Sequence, residues 1–186
     1  MRVWSIKSFV FDIGGRSILT ELIKCYGEFW NPDIVEWGKK GPGNKGKLIG
    51  KIKPSSKHID FWEARGVYVL HDNFKAIYVG KAIETQIGKR IRDHLSDRLA
   101  GRWDMFSWYS TSAVRQTQKD VSKPGQRQIT PETIINTMEA LAILIADPAL
   151  NRKRETLPNA FEAEQVSSPH PQTIRHYLQE ILNKLE

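Results

Sequence analysis

The sequence predicts an α+β fold. Two kinds of pattern carry this: short runs of strand formers around a turn signal, and later stretches whose apolar residues recur at helical steps. Val67-Tyr68-Val69-Leu70 and Ala76-Ile77-Tyr78-Val79 are rich in β-branched and aromatic residues, and Asp72-Asn73 between them marks a turn. The two runs should pair as an antiparallel hairpin, with Tyr68 and Tyr78 within about one residue of facing each other. Met105-Phe106-Ser107-Trp108-Tyr109 reads as a third strand.

Helices follow from spacing. Ile87, Ile91, Leu95 and Leu99 mark one buried face, and Gly101 ends that helix. Arg90 and His94 are one turn apart and share a neighbouring face. Thr130-Pro131-Glu132 is an N-cap followed by proline at the first helical position, and Asp147-Pro148 stops the helix it opens. Its expected core stripe is Ile134, Ile135, Met138, Leu141, Ala142 and Ile145, with Glu139 half-buried at the margin.

The ends of the chain read as additions. Phe9-Val10-Phe11 could be a short strand and Gly14-Gly15 a turn. From a Ser17 N-cap, Ile18, Leu19, Leu22, Ile23, Tyr26, Phe29 and Trp30 predict an amphipathic helix. Between 38 and 58, glycines alternate with Lys39, Lys40, Lys45, Lys47, Lys51, Lys53 and Lys57, which predicts a flexible cationic strap. That strap serves either phosphate contact or as a solvated linker. The polar stretch 111–128 is either an ordered loop over a substrate or a mobile one. In the tail, Ile174, Leu178, Ile181 and Leu185 predict a helix that docks on its own domain or pairs with a second copy as a homodimer. The expected units are an N-terminal helical extension (1–37), the basic strap (38–62), a central unit (63–154) and a C-terminal tail and helix (155–186).

Composition bounds the partners. A formal charge of +7 and a pI near 9.5 favour a polyanion. Six tryptophans could include exposed ones that stack on bases. Cys25 is the lone cysteine, so no internal disulfide or multi-cysteine zinc site is open to the chain, and a cytoplasmic, reducing compartment is expected. No apolar run reaches the ~18 residues of a membrane span. A glycine-rich phosphate loop, a metalloprotease helix motif and a hydrolase serine elbow are all missing.

Gly66-Val67-Tyr68 and Tyr78-Val79-Gly80, then Lys81, Arg90, His94, Glu139 and Asn151, in that order, resemble the GIY-YIG nuclease family over roughly Glu63–Arg154. Valine stands for isoleucine in both triplets, an ordinary variation. The resemblance implies a small three-stranded antiparallel sheet flanked by helices, and an endonuclease that hydrolyses phosphodiester bonds of double-stranded DNA. It implies Tyr68 as general base, with Tyr78 the competing choice, and Arg90 on the scissile phosphate, with Arg92 a rival assignment. It further implies Glu139 holding Mg²⁺ or Mn²⁺, with Lys81, His94, Tyr78 and Asn151 in support. Lys39, Lys40, Lys45, Lys47, Lys51, Lys53 and Arg92 would bind the nucleic-acid backbone. The physical need is plain: a positioned base must take a proton from water, and charge must be neutralised on the phosphorus in flight. Two other functions fit the same residues: an RNA-cutting or indiscriminate nuclease of the toxin or effector kind, and a nucleic-acid-binding module without turnover.

Overall fold

The computed structural model describes residues 22–39, 45–52, 56–126, 128–151, 157, 159–168 and 182–183. Its frame is a mixed seven-stranded sheet in the order β3-β2-β9-β1-β6-β4-β5. The strands are β1 (Cys25–Trp30), β2 (Ile49–Ile52), β3 (His58–Asp60), β4 (Gly66–Asp72), β5 (Lys75–Ala82), β6 (Met105–Ser110) and β9 (Phe161–Gln165). A separate two-stranded ribbon pairs β7 (Val114–Arg115) with β8 (Asp120–Val121). Among the described residues there are two α-helices, α1 (Ile87–Asp93) and α2 (Pro131–Ala146). The expectation of a small three-stranded sheet flanked by helices is therefore wrong. The predicted strands β4, β5 and β6 form one end of a sheet that β1, β2, β3 and β9 extend.

Each missed strand has a local reason. In β1 the pairing runs Gly27↔Trp108 and then Trp30↔Phe106, so three steps on β1 match two on β6. A bulge does this, with Phe29 at φ 52. It turns the strand period of two into a step of three, the same step that reads as helix in the sequence. Residues 25–30 of the expected N-terminal helix are thus strand; Phe9 to Leu19, with the rest of 1–21, lie outside the described residues.

Strands β2 and β3 come from the lysine- and glycine-rich stretch. Gly46 and Gly50 act by close packing: a methyl group at Gly46 would overlap the Trp62 ring and the Glu36 carbonyl, and one at Gly50 would crowd Trp30 and Phe61. Among the described residues, Lys45 pairs with Glu63 (3.1 Å) and Lys47 with Glu36 (3.3 Å). Lys51 is half-buried in β2 and Lys39 is exposed, whereas Lys40 and Lys53 lie outside the described residues. In β9, Phe161–Gln165 has only Ala163 buried, so its sequence gave little apolar signal.

The hairpin and α1 follow the sequence more closely. Asn73 and Phe74 both have positive φ (49 and 65), the two-residue turn that matches the twist of paired strands. Helix α1 is shorter than predicted, but Ile87, Ile91, Leu95 and Leu99 are all buried, and Gly101 has φ 69. Helix α2 starts and stops as expected: Thr130 Oγ1 accepts from the Thr133 amide, and Asp147 is left-handed. Its buried face is shifted from the expected one, although Leu141 and Ile145 of the expected stripe do pack against the sheet's smaller cluster. Thr137, Ala140 and Leu144 are buried, whereas Ile135 and Met138 are 64% and 65% exposed.

Two apolar clusters lie on opposite faces of the sheet. The larger holds Trp30, Trp37, Trp62, Trp103, Trp108, Tyr68, Ile87 and Ile91; the smaller holds Tyr26, Val69, Tyr109, Ala140 and Leu144 under α2. Trp30, Trp37, Trp62, Trp103 and Trp108 are therefore core, not platforms for bases. The stretch 111–126 carries β7 and β8 and is tied down by the Asp60 amide donating to the Lys119 carbonyl (2.9 Å) and by buried Val121. The Cys25 thiol is buried, and burial pushes its pKa up to about 12, so it stays an inert thiol. Among the described residues no helix is long and apolar enough to cross a membrane. The tail positions Ile174, Leu178, Ile181 and Leu185 lie outside the described residues.

Candidate active site

The register of the hairpin decides which side chains meet. Tyr68 pairs with Gly80 and Leu70 with Tyr78, so the two tyrosines are diagonal neighbours on one face rather than directly opposite. Their ring centroids are 6.2 Å apart. Both glycines of the paired triplets are required by space. A methyl group at Gly66 would collide with the Tyr109 carbonyl, and one at Gly80 would overlap the Tyr68 hydroxyl. The hydroxyl end of the Tyr68 ring thus lies close against the backbone of Gly80.

Helix α1 is fixed over this face by its first turn. The Ile87 amide donates to the Ala64 carbonyl (2.8 Å) and the Gly88 amide to the Trp62 carbonyl (3.1 Å). Gly88 rests so close on the Trp62 indole that any side chain would overlap it. At the C-terminal end of the helix, His94 is buried beside both tyrosines, its ring centroid 5.6 Å from Tyr68 and 5.1 Å from Tyr78. The Tyr68 hydroxyl is 2.8 Å from His94 Nε2. The other ring nitrogen, Nδ1, is 2.6 Å from Asp97 Oδ2.

Arg90 and Arg92 are sorted by the same helix. Arg92 is buried; its guanidinium lies 5.4 Å from the Trp62 ring centroid and donates to the carbonyls of Trp37 (3.4 Å) and Lys39 (3.2 Å). It is therefore a brace between α1 and the segment before β2, which corrects its reading as a nucleic-acid contact or a phosphate ligand. Arg90 is half-buried and faces a cleft of about 440 Å³ lined by Val67, Tyr78, Val79, Gly80, Lys81 and Arg90. Val67, Val79 and Lys81 project from the face that α2 covers, and Tyr78 and Gly80 from the other, so the cleft wraps the outer edge of the sheet.

The electrostatics of Tyr68 follow from this enclosure. Burial, reinforced by the neighbouring Tyr78 phenol, pushes its pKa up to about 12, against the pull of the Arg90 guanidinium. A phenol held this way stays protonated at neutral pH unless an acceptor takes its proton. Asp97 balances differently: burial raises its pKa, but the Leu99 amide and His94 outweigh burial and hold the carboxyl below its usual range. Its ionised carboxylate has two acceptor oxygens, and Oδ1 takes the Leu99 amide at 2.8 Å.

Of the residues that the sequence singles out, Tyr68, Tyr78, Lys81, Arg90 and His94 come together on β4, β5 and α1. Glu139 does not join them by any hydrogen bond or ion pair among the described residues. It is exposed on α2, not half-buried as the stripe predicted. Asn151 is exposed just past α2, its amide bonded to the Pro148 carbonyl (3.0 Å). Asp97 was missed; its only trace in the sequence is a carboxylate three residues after a histidine, a spacing common on any surface helix.

No protein-family model, curated protein or solved structure matches the chain.

The donor set bears on a metal. Among the described residues no group of three or more His, Cys, Asp or Glu side chains could hold an ion. A hard, mostly hydrated cation asks for one or two carboxylates. Glu139, solvent-facing on the helix that shares a sheet face with Lys81, is compatible with that lighter demand.

Proposed function

We propose that the protein is a divalent-metal-dependent endonuclease acting on double-stranded DNA, a member of the GIY-YIG class, with the cleft at the β5 edge as its active site. The observation that carries this reading is the convergence of Tyr68, Tyr78, His94 and Arg90 behind and beside Gly80. Lys81 and Arg90 line the cleft and supply positive charge for a phosphodiester, Arg90 with the planar fork that suits phosphate oxygens. Tyr68 does not itself line the cleft: its hydroxyl lies against the backbone of Gly80, where a side chain would overlap it, and Gly80 is a lining residue. Tyr68 is the general base in this reading because it has its own proton acceptor in His94. Tyr78 lines the cleft and orients the bound phosphate.

Water attacks phosphorus as Tyr68 takes its proton, and the bond to the leaving ester oxygen breaks. Arg90 and Lys81 meet the charge that grows on the phosphoryl oxygens. A hydrated Mg²⁺ or Mn²⁺ held by Glu139 would add to that neutralisation.

The test is strand scission of plasmid DNA by the purified protein, with Mg²⁺, with Mn²⁺ and with chelator. Cleavage is expected only with a divalent ion, and Glu139→Ala should lower the rate at least ~10²-fold, as loss of a charge-stabilising group does. Glu139→Ala cutting at the wild-type rate would remove Glu139 and its metal from the mechanism. Scission of RNA but not DNA would move the substrate class. Binding without scission under any divalent ion would leave a nucleic-acid-binding module.

A further inference from the structure

We infer that Asp97 is a positioning residue that holds His94 in the tautomer with its proton on Nδ1, so that Nε2 is left to accept the proton of Tyr68. This inference rests on the nuclease reading for its kinetic consequence only. The Asp97–His94–Tyr68 hydrogen bonds form without any substrate. An ionised carboxylate accepts and cannot donate, so the 2.6 Å contact to Oδ2 requires Nδ1 to carry a hydrogen. A neutral imidazole then has a bare Nε2, and the 2.8 Å contact must run from the Tyr68 hydroxyl to His94. The direction of the whole chain is set at its solvent-facing end.

Two further contacts make the arrangement one-way. Asp97 is itself anchored, its Oδ1 accepting the Leu99 amide at 2.8 Å, so its carboxylate presents a fixed edge to His94. The imidazole is packed against both tyrosine rings, which resists a ring flip that would exchange its nitrogens. In the reaction, the Tyr68 proton passes to Nε2, leaving a phenolate and an imidazolium whose Nδ1 keeps its hydrogen and still donates it to Asp97. The phenolate takes a proton from the attacking water as the new P–O bond forms. The leaving oxygen takes a proton from solvent, and His94 returns its extra proton to solvent.

Asp97→Asn separates this from a merely structural role. The Leu99 amide still needs an acceptor, so the asparagine oxygen goes there and its NH₂ turns towards Nδ1. Nδ1 must then accept, which drives the ring hydrogen to Nε2, where it points at Tyr68 and blocks proton transfer. Long-range proton–nitrogen NMR of protein labelled in its histidines reads the tautomer directly. Wild type should show His94 protonated at Nδ1, and Asp97→Asn should show it at Nε2. With the plasmid substrate, kcat should fall roughly 10- to 100-fold with KM little changed, the usual size of such an outer partner's loss. Asp97→Glu should keep the wild-type tautomer and recover part of kcat.

An Asp97→Asn protein with the tautomer unchanged overturns the inference, as does a switched tautomer with wild-type kcat. If Asp97→Asn fails to fold, Asp97→Glu and wild type carry the comparison, and a wild-type His94 protonated at Nε2 sinks it. Should the wild type cut no nucleic acid at all, the nuclease reading falls while the spectra still decide how Asp97 holds His94.

Discussion

The β4–β5 hairpin with α1 and the helix α2 were equally visible in the sequence, yet α2 has only part of the buried face its pattern announced, at Leu141 and Ile145. In the hairpin, a turn of two residues fixes the register, and the register fixes that Tyr68 lies against Gly80 and beside Tyr78. In α1, Ile87 and Ile91 are buried as spaced, and Arg90 and His94 fall where a helix must put them. Helix α2 carries apolar residues on most of its circumference, from Ile134 and Ile135 through Met138 to Ile145. A stripe that runs all round chooses no side. The partner chose: the sheet face beneath presents the rings of Tyr26 and Tyr109, and the small residues Thr137 and Ala140 lie against that side while Ile135 and Met138 turn out. Side chains close in sequence are placed by local rules; a helix far along the chain is placed by what it lands on.

The sharpest way to test that contrast is within α1 itself. Arg90→Ala should cut kcat by about 10² to 10³ while leaving the thermal midpoint nearly unchanged. Arg92→Ala should do the reverse, costing about 2 kcal/mol of stability by denaturant unfolding through loss of its bonds to Trp37 and Lys39, with kcat of the folded fraction kept. If the two variants exchange phenotypes, the assignment of Arg90 to the cleft is wrong.

The buried face of α2 can be checked in the same measurement. Leu144→Ala should cost roughly 2 to 3 kcal/mol, as a buried leucine does when a cavity replaces it. A loss close to zero would mean that the helix packs by its other side.

Next in size is a pH effect at the far end of the hairpin. His71 is buried, with Nε2 3.0 Å from Ser107 Oγ, and burial holds its pKa below the usual histidine value, against the carboxylates of Glu28 and Asp104. The unfolded chain therefore binds a proton more readily than the native one between the two values. Stability contributed this way is complete above the ordinary histidine pKa of ~6.5 and is lost as pH falls through the lowered native value, by at most about 1.4 kcal/mol per pH unit. Thermal midpoints of wild type should fall between pH 7.5 and 5 more steeply than those of His71→Asn. Equal slopes would show that His71 is not the group responsible.

The smallest expected change is on the outward side of α2, where Ile135→Gln should shift stability by no more than ~0.5 kcal/mol. A loss as large as that of Leu144→Ala would mean that the outward face is covered in solution.

Read alone, the sequence determined what short-range geometry controls. Asp72-Asn73 and the two triplets specified a hairpin with its glycines where a ring or carbonyl presses on the backbone, Thr130-Pro131 and Asp147 bounded α2, and one helical turn joined Arg90 to His94. Tertiary structure decided everything that depends on a partner remote in the chain. It converted Cys25–Trp30 from an apparent helical stripe into a bulged strand against β6, and made Gly46 and Gly50 seats for tryptophan rings rather than hinges. It buried Arg92 and opened Arg90 to the cleft, and it turned an unremarked Asp97 into the partner of His94. The reason is common to all of these. Spacing along a chain fixes which side chains share a face, but which face is buried, and which polar group finds its complement there, depends on the surface that packs against it.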